Sequence, residues 1–188
     1  MKKIISEITN VILDRIDMSE YLKINDVEHQ NYYKSQSSSE HYRLLKYLST
    51  KVDDSIIIDI GTFKGCSSLA LSSNKKNKVY SFNLFDQLSL NEIPDNISFI
   101  LDDVMNDQYK DIILKSKIIL LDTFHDGTFE KEFFNYLEDI NYTGTLLLDD
   151  INLNKNMIEF WNSIDYDKDD ITHIGHSSGT GSVYFEKK

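Results

Sequence analysis

Three short apolar runs, each interrupted or ended by an acid, constrain this chain more than any other feature: SIIIDIG at 55–61, KIILLD at 117–122 and TLLLDD at 145–150. They lack the alternation of a half-buried strand and are too short for a buried helix. Each reads as a strand covered on both faces. The full set of predicted strands is 55–60, 78–83, 97–101, 117–121, 144–149, 170–175 and 181–186. Segments with helical spacing lie between them at 66–73, 107–115, 128–140 and 155–164. In the third, Phe129, Phe133, Tyr136, Leu137 and Ile140 recur at three and four residues and share one face.

Glycines punctuate the ends of these elements: Gly61 and Gly65 follow the first run, Gly127 the second, Gly144 precedes the third, and Gly175, Gly179 and Gly181 surround a late turn. Strands alternating with helices imply an α/β sandwich around a mostly parallel sheet. The last two strands, joined by a Gly/Ser/Thr turn with no room for a helix, should form an antiparallel hairpin. The link at 84–96, which contains Pro94, holds a short helix at most.

A chain of 188 residues suits one domain, here an N-terminal helical segment at 1–50 and an α/β core at 51–188. The opening MKKIISEITNVILDRID reads as an amphipathic helix, because Glu7, Asp14 and Asp17 break the apolar stretch a secretory signal needs. No apolar run approaches the roughly 20 residues of a membrane span, so no membrane partner is expected. A lone cysteine, Cys66, makes neither an internal disulfide nor a zinc cluster, which suggests a reducing compartment, the cytoplasm by default. A formal charge of −11 without a basic block disfavours nucleic acid and points to a small molecule as partner. A homo-oligomer stays open.

The segment DIGTFKGCS, at 59–67, closes the first strand and opens a helix. Glycines there let a ligand approach the backbone, and a helix N-terminus offers free N–H groups to an anion. The G-x-x-x-G spacing departs from the G-x-G-x-x-G of dinucleotide binding, which disfavours a nicotinamide-dependent oxidoreductase. A turn required only by packing is the competing explanation.

DIGTFKGCS resembles the first motif of class I S-adenosylmethionine-dependent methyltransferases, particularly the small metal-dependent O-methyltransferases. The resemblance covers roughly residues 40–186. It implies a Rossmann-like sandwich whose seven-stranded, mostly parallel sheet has an antiparallel last strand, with S-adenosylmethionine as cofactor. It assigns Gly61, Gly65 and Ser67 to the methionine part of that cofactor and Asp59 to its amino end. Where the family has an acid for the ribose hydroxyls, this chain has Asn83, with Asp86 nearby in the loop. Asp103, in Ile100-Leu-Asp102-Asp103, resembles the acid that receives the adenine amino group; two solvated loop aspartates explain the pair equally well.

Asp122 ends the strand at 117–121, and Asp149 and Asp150 end the one at 144–149. In the methyltransferase strand order these carboxylates converge at the ligand-binding edge of the sheet. Like charges that close need compensation, which magnesium or another divalent cation would supply through oxygen ligands. Helix capping is the other role such aspartates play. His125 lies three residues after Asp122, where catechol-type enzymes of the family carry a lysine base. The sugar O-methyltransferases of the mycinamicin and macrocin type carry histidine there and two adjacent acids after strand five, the pattern found here.

The resemblance therefore implies methyl transfer to a hydroxyl, of a sugar or glycan before a catechol, with His125 as base. An open cleft is expected from the short N-terminal segment. A non-catalytic binding module on this fold is the third alternative, suggested by Asn83 and the abbreviated link at 84–96. Two further signals are Glu40-His41-Tyr42-Arg43, which a helix start also explains, and His176, whose surrounding glycines a hairpin turn explains. Phe160 and Trp161 read as core, and Cys66 as a small packing residue.

Overall fold

The computed structural model describes residues 1–186. Seven strands form one sheet: β1 (Ile56–Ile60), β2 (Lys78–Asn83), β3 (Ile97–Leu101), β4 (Ser116–Leu121), β5 (Gly144–Asp149), β6 (Lys168–Asp170) and β7 (Thr180–Phe185). Their order is β3-β2-β1-β4-β5-β7-β6, parallel from β3 through β5, with β7 antiparallel to both of its neighbours. The helices are α1 (Lys2–Ile5), α2 (Asn10–Leu13), α3 (Val27–Lys34), α4 (Tyr42–Ser49), α5 (Cys66–Leu71), α6 (Lys110–Lys115), α7 (Phe129–Asp139) and α8 (Lys155–Ser163). Among the described residues no helix is long and apolar enough to cross a membrane.

The unbroken apolar runs have the predicted explanation, because successive residues enter two separate cores. Ile57, Val79, Ile118, Leu120 and Leu147 pack with α2, α4 and α5 on one face, where the N-terminal segment closes the layer. Ile58, Phe82, Ile119, Leu121, Leu146 and Leu148 pack with α7 and α8 on the other. Phe133 and Leu137 of α7 are buried in that second core. Phe160 and Trp161 belong to it too, Trp161 lying against Gly181, where an added Cβ would come within 2.6 Å of the indole.

Two expectations are corrected. The N-terminal amphipathic helix is broken: α1 and α2 are single turns separated by a bend, and Ile5, Ile8 and Leu13 are buried from three successive short segments. The strand expected at 170–175 ends at Asp170. Asp170 accepts from the Thr172 N–H and hydroxyl, which turns the chain into a 3₁₀ turn over Thr172–Ile174, so the hairpin pairs only Lys168–Asp170 with β7. No helix forms between β2 and β3; Leu90 instead bridges to Ile24 of the N-terminal segment.

Candidate active site at the carboxyl edge of the sheet

Beside the carboxyl ends of β1, β2 and β4, where the strand order reverses, lies a cavity of about 520 Å³, a size suited to a small molecule. Gly61, Ser67, Asn83, Asp103, Asp122 and His125 all line it. Exposed Phe63, Leu84, Phe85 and Phe124 give it an apolar rim. His29 and Tyr42 of the N-terminal segment form part of its wall.

The glycine turn works differently from its sequence reading. Gly61 (φ +97°) is pressed against the protein's own backbone: a Cβ there would lie 1.5 Å from the Asp122 carbonyl oxygen. Gly65 (φ +91°) is the N-cap of α5, stands outside the cavity lining and faces Leu88 and Leu90. Both glycines clear protein atoms, and of the two only Gly61 borders the cavity. Asp59 also stands outside the cavity lining. It is fully buried, its Oδ2 accepting from Ser67, Ser68 and Ser81 at 3.1, 2.5 and 2.7 Å, and burial raises its pKa against those bonds. Ser67 reaches the cavity wall with its hydroxyl donated to Asp59.

Asn83 donates from Nδ2 to the Phe85 carbonyl at 2.7 Å, which shapes the turn after β2. Asp86 lines a neighbouring hollow, to which Asn83 also contributes, and is absent from the lining of the main cavity. The two aspartates after β3 divide their work. Asp102 accepts from Tyr109, Asn106, Gln108 and the Asp103 N–H and so fastens its own turn, whereas Asp103 accepts at Oδ1 from the Met105 N–H.

β4 and β5 are adjacent and bring Asp122 and Asp149 into ligand reach of each other with His125, and Asp149 and Asp150 with His176; among the described residues no such group contains all three aspartates. Three imidazoles interleave with them. His125 Nε2 stands 3.3 Å from Asp122 Oδ1 and 3.5 Å from Asp150 Oδ2. His41 Nδ1 stands 3.1 Å from Asp149 Oδ1, and His176 Nδ1 3.1 Å from Asp150 Oδ1. Glu40 is 3.3 Å from the other nitrogen of His176. Internal cations can thus offset the carboxylates, so mutual repulsion alone does not demand a metal. The donor set nonetheless suits one: ligand atoms of Asp122, His125 and Asp149 all lie within 4.8 Å of one another. Asp149 and Asp150 sit behind the cavity wall, which Asp122 and His125 reach.

His125 and Asp150 both adopt left-handed backbone, φ 54° and 58°, a costly conformation for a side chain and one that clusters at functional sites. Buried Glu130 holds the loop after β4 by accepting from the Thr123 hydroxyl and the His125 and Gly127 N–H groups. Asn154 caps α8 and donates 2.7 Å to the His125 carbonyl. Glu130 and Asn154 escaped sequence reading, since an acid or amide at a helix start usually serves only its own helix.

Burial disfavours the charged form of all three histidines, but the carboxylates outweigh it. Asp149 and Asp122 hold His41 at about 9, bonds to Asp150 and Glu40 hold His176 at about 11, and Asp122 and Asp150 raise His125. Burial together with the Asp149 charge raises Asp122, while the His176 and Ser178 hydrogen bonds overcome burial to lower Asp150. Burial pushes the Cys66 thiol up to about 12, in keeping with packing and against a nucleophile.

A raised histidine stabilises the fold fully below its unfolded pKa and loses that contribution as pH passes its folded value. The cation-free protein should therefore lose stability from pH 6.5 to about 9 as His41 deprotonates, and further toward 11 through His176. Urea midpoints measured across that range in EDTA check this; a flat profile would contradict the ion-paired arrangement.

No family model and no curated protein sequence matches the chain. Solved structures do. The S-adenosylhomocysteine-bound methyltransferase PaMTH1 of Podospora anserina superposes with a TM-score of 0.58 at 14% identity over 78% of each chain. The O-methyltransferase TomG of Streptomyces achromogenes, solved with S-adenosylmethionine, gives 0.55 at 11% identity over 77% of this chain and 79% of its own. Together with the strand order and the antiparallel β7, these likenesses establish that the chain has the Rossmann-like fold of class I S-adenosylmethionine-dependent methyltransferases.

Proposed function

We propose that the chain is an S-adenosylmethionine-dependent O-methyltransferase that methylates a hydroxyl, with a sugar or glycan as acceptor and a divalent cation as helper. One observation carries the reading: a single cavity runs from the Gly61 turn, past Asn83 and Asp103, to Asp122 and His125. A cofactor cradle and an acid–base group thereby share one chamber. PaMTH1 and TomG, whose structures contain the demethylated product and the cofactor, lend support through their shared fold.

S-adenosylmethionine, when bound, supplies a methyl group already electrophilic on its sulfonium, so the protein's task is alignment and proton removal. Asn83 and Asp103 offer polar groups to the nucleoside part, and the Gly61 turn with Ser67 borders the methionine part. Asp122, Asp149 and Asp150 would hold the cation, magnesium or another divalent ion, whose Lewis acidity lowers the pKa of an acceptor hydroxyl. His125 faces the cavity beside Asp122 and takes the proton.

The histidine and paired acids favour a sugar hydroxyl, by likeness to enzymes that carry this pattern. The rim of Phe63, Leu84, Phe85 and Phe124 favours the second reading, a phenolic acceptor of the catechol kind. Methyl glycosides and small catechols incubated with labelled cofactor and magnesium separate the two. Label is expected on glycosides and should disappear in EDTA. Methylation of catechols alone overturns the acceptor class, and full activity in EDTA overturns the cation.

A further inference from the structure

We propose that Asn154 is a positioning residue for His125: its amide holds the His125 main chain so that the imidazole stays at the cavity wall between Asp122 and Asp150. This rests on the methyl-transfer reading above, in which His125 takes the proton, and deepens it by naming what keeps that base in place.

Asn154 stands at the start of α8 with both ends of its side chain engaged. Oδ1 accepts from the Met157 N–H at 3.1 Å and so caps the helix. Capping explains only that oxygen, because serine or aspartate serves a helix start equally well. Nδ2 has no part in the cap, and it donates at 2.7 Å to the His125 carbonyl, 29 residues away in the sequence. Among the described residues no other donor reaches that carbonyl. Turning the amide over would set donor against donor and oxygen against oxygen, so its two partners fix its orientation.

The His125 backbone needs holding. Its φ of 54° is a conformation that a residue with a side chain adopts at a cost and keeps only where its surroundings impose it. Glu130 secures the His125 N–H at 2.9 Å, and Asn154 secures the carbonyl. The segment that supplies the tether also serves the ring. Asp150, four residues before Asn154, places Oδ2 3.5 Å from His125 Nε2. Between them, the Ile151 and Asn152 N–H groups donate to the carbonyls of Gly179 and Ser178, which ties the segment to the β6–β7 loop. Backbone tether and ring partner therefore belong to one anchored piece of chain, and together they set where the imidazole stands. A residue that only began its helix would have no use for the amide.

Asn154→Ser keeps a helix cap and removes the tether, so its melting temperature should stay close to that of the wild type. With a methyl glycoside, labelled S-adenosylmethionine and magnesium, kcat should fall roughly 10–100-fold, the scale of a small misplacement of a reacting group. Affinity for S-adenosylhomocysteine should not change. In a His125→Ala background the same substitution should cost nothing further, since a positioning residue acts only through the group it positions. Native kcat in folded Asn154→Ser, or an equal loss with and without His125, overturns the proposal. Should the serine variant fail to fold, Asn154→Asp decides by the same outcomes, because its side chain has the same shape and caps but cannot donate. A second measurement needs no activity. The Asp126 amide shares a peptide plane with the His125 carbonyl, and its 15N order parameter should be about 0.85 in the wild type and clearly lower in the variant. Unchanged order overturns the proposal. Lost order in a protein whose wild-type form methylates no acceptor supports the tether and defeats only the function.

Discussion

Gly61→Ala is expected to cost about 2–5 kcal/mol of stability, from backbone overpacking and a left-handed side chain combined. The added Cβ would stand 1.5 Å from the Asp122 carbonyl oxygen and 2.6 Å from its carbon, and both are main-chain atoms that no rotamer can move aside. Relief requires the ends of β1 and β4 to separate, which threatens the bond from the Asp122 N–H to the Ile60 carbonyl at 2.9 Å. Small domains have only about 5–15 kcal/mol in total, so the variant should lose a large share of its stability. Gly65→Ala is the control. Its φ is equally unfavourable, but its Cβ would meet leucine methyl groups, which can shift. Urea denaturation of the two variants should therefore separate them widely, and equal midpoints would disprove the close approach at Gly61.

His125→Ala should lower turnover by roughly 10²–10⁴-fold, the usual contribution of a general base. Affinity for S-adenosylhomocysteine should change little, because no fixed bond runs from the imidazole to the glycine turn. The wild-type rate should rise with pH as His125 loses its proton. In the cation-free protein the imidazole itself, followed by NMR and not by rate, should titrate above the ordinary 6.5, since Asp122 and Asp150 hold the proton on more strongly than burial expels it. The residual rate of the variant should lose that dependence. Native turnover in a folded variant would assign proton removal elsewhere, with His176 the nearest alternative.

The strands were legible because burial on both faces leaves an unmistakable mark: six of the seven expected ranges have each end within one residue of the observed one. β6 was not, because the apolar residues of ITHIG serve a 3₁₀ turn whose Ile171 and Ile174 enter the core without pairing in a strand. Asp122, Asp149, Asp150 and His125 could be found because each closes or follows an apolar run. His41 and His176 carried only faint signals, since they meet the acids through the N-terminal segment and the β6–β7 loop, and no spacing along the chain encodes that meeting. At Gly61 the atom that needs the room is the Asp122 carbonyl oxygen just after β4, about 60 positions away, a closeness that no local motif encodes.

The chamber is assembled from chain segments that lie far apart in the sequence. Gly61, Ser67, Asn83 and Asp103 belong to the β1–β3 half, Asp122 and His125 to the loop after β4, and the halves are joined where Ile60 pairs with Leu121. Loss of that long-range pairing dissolves the whole cavity at once, so partial unfolding should leave no competent binding state. A ligand seated there would then be linked to global unfolding, adding about 2.7 kcal/mol at a hundredfold excess over its Kd. Melting temperature thus becomes an assay in its own right, able to rank cofactors, cations and acceptors before any methylated product has been identified.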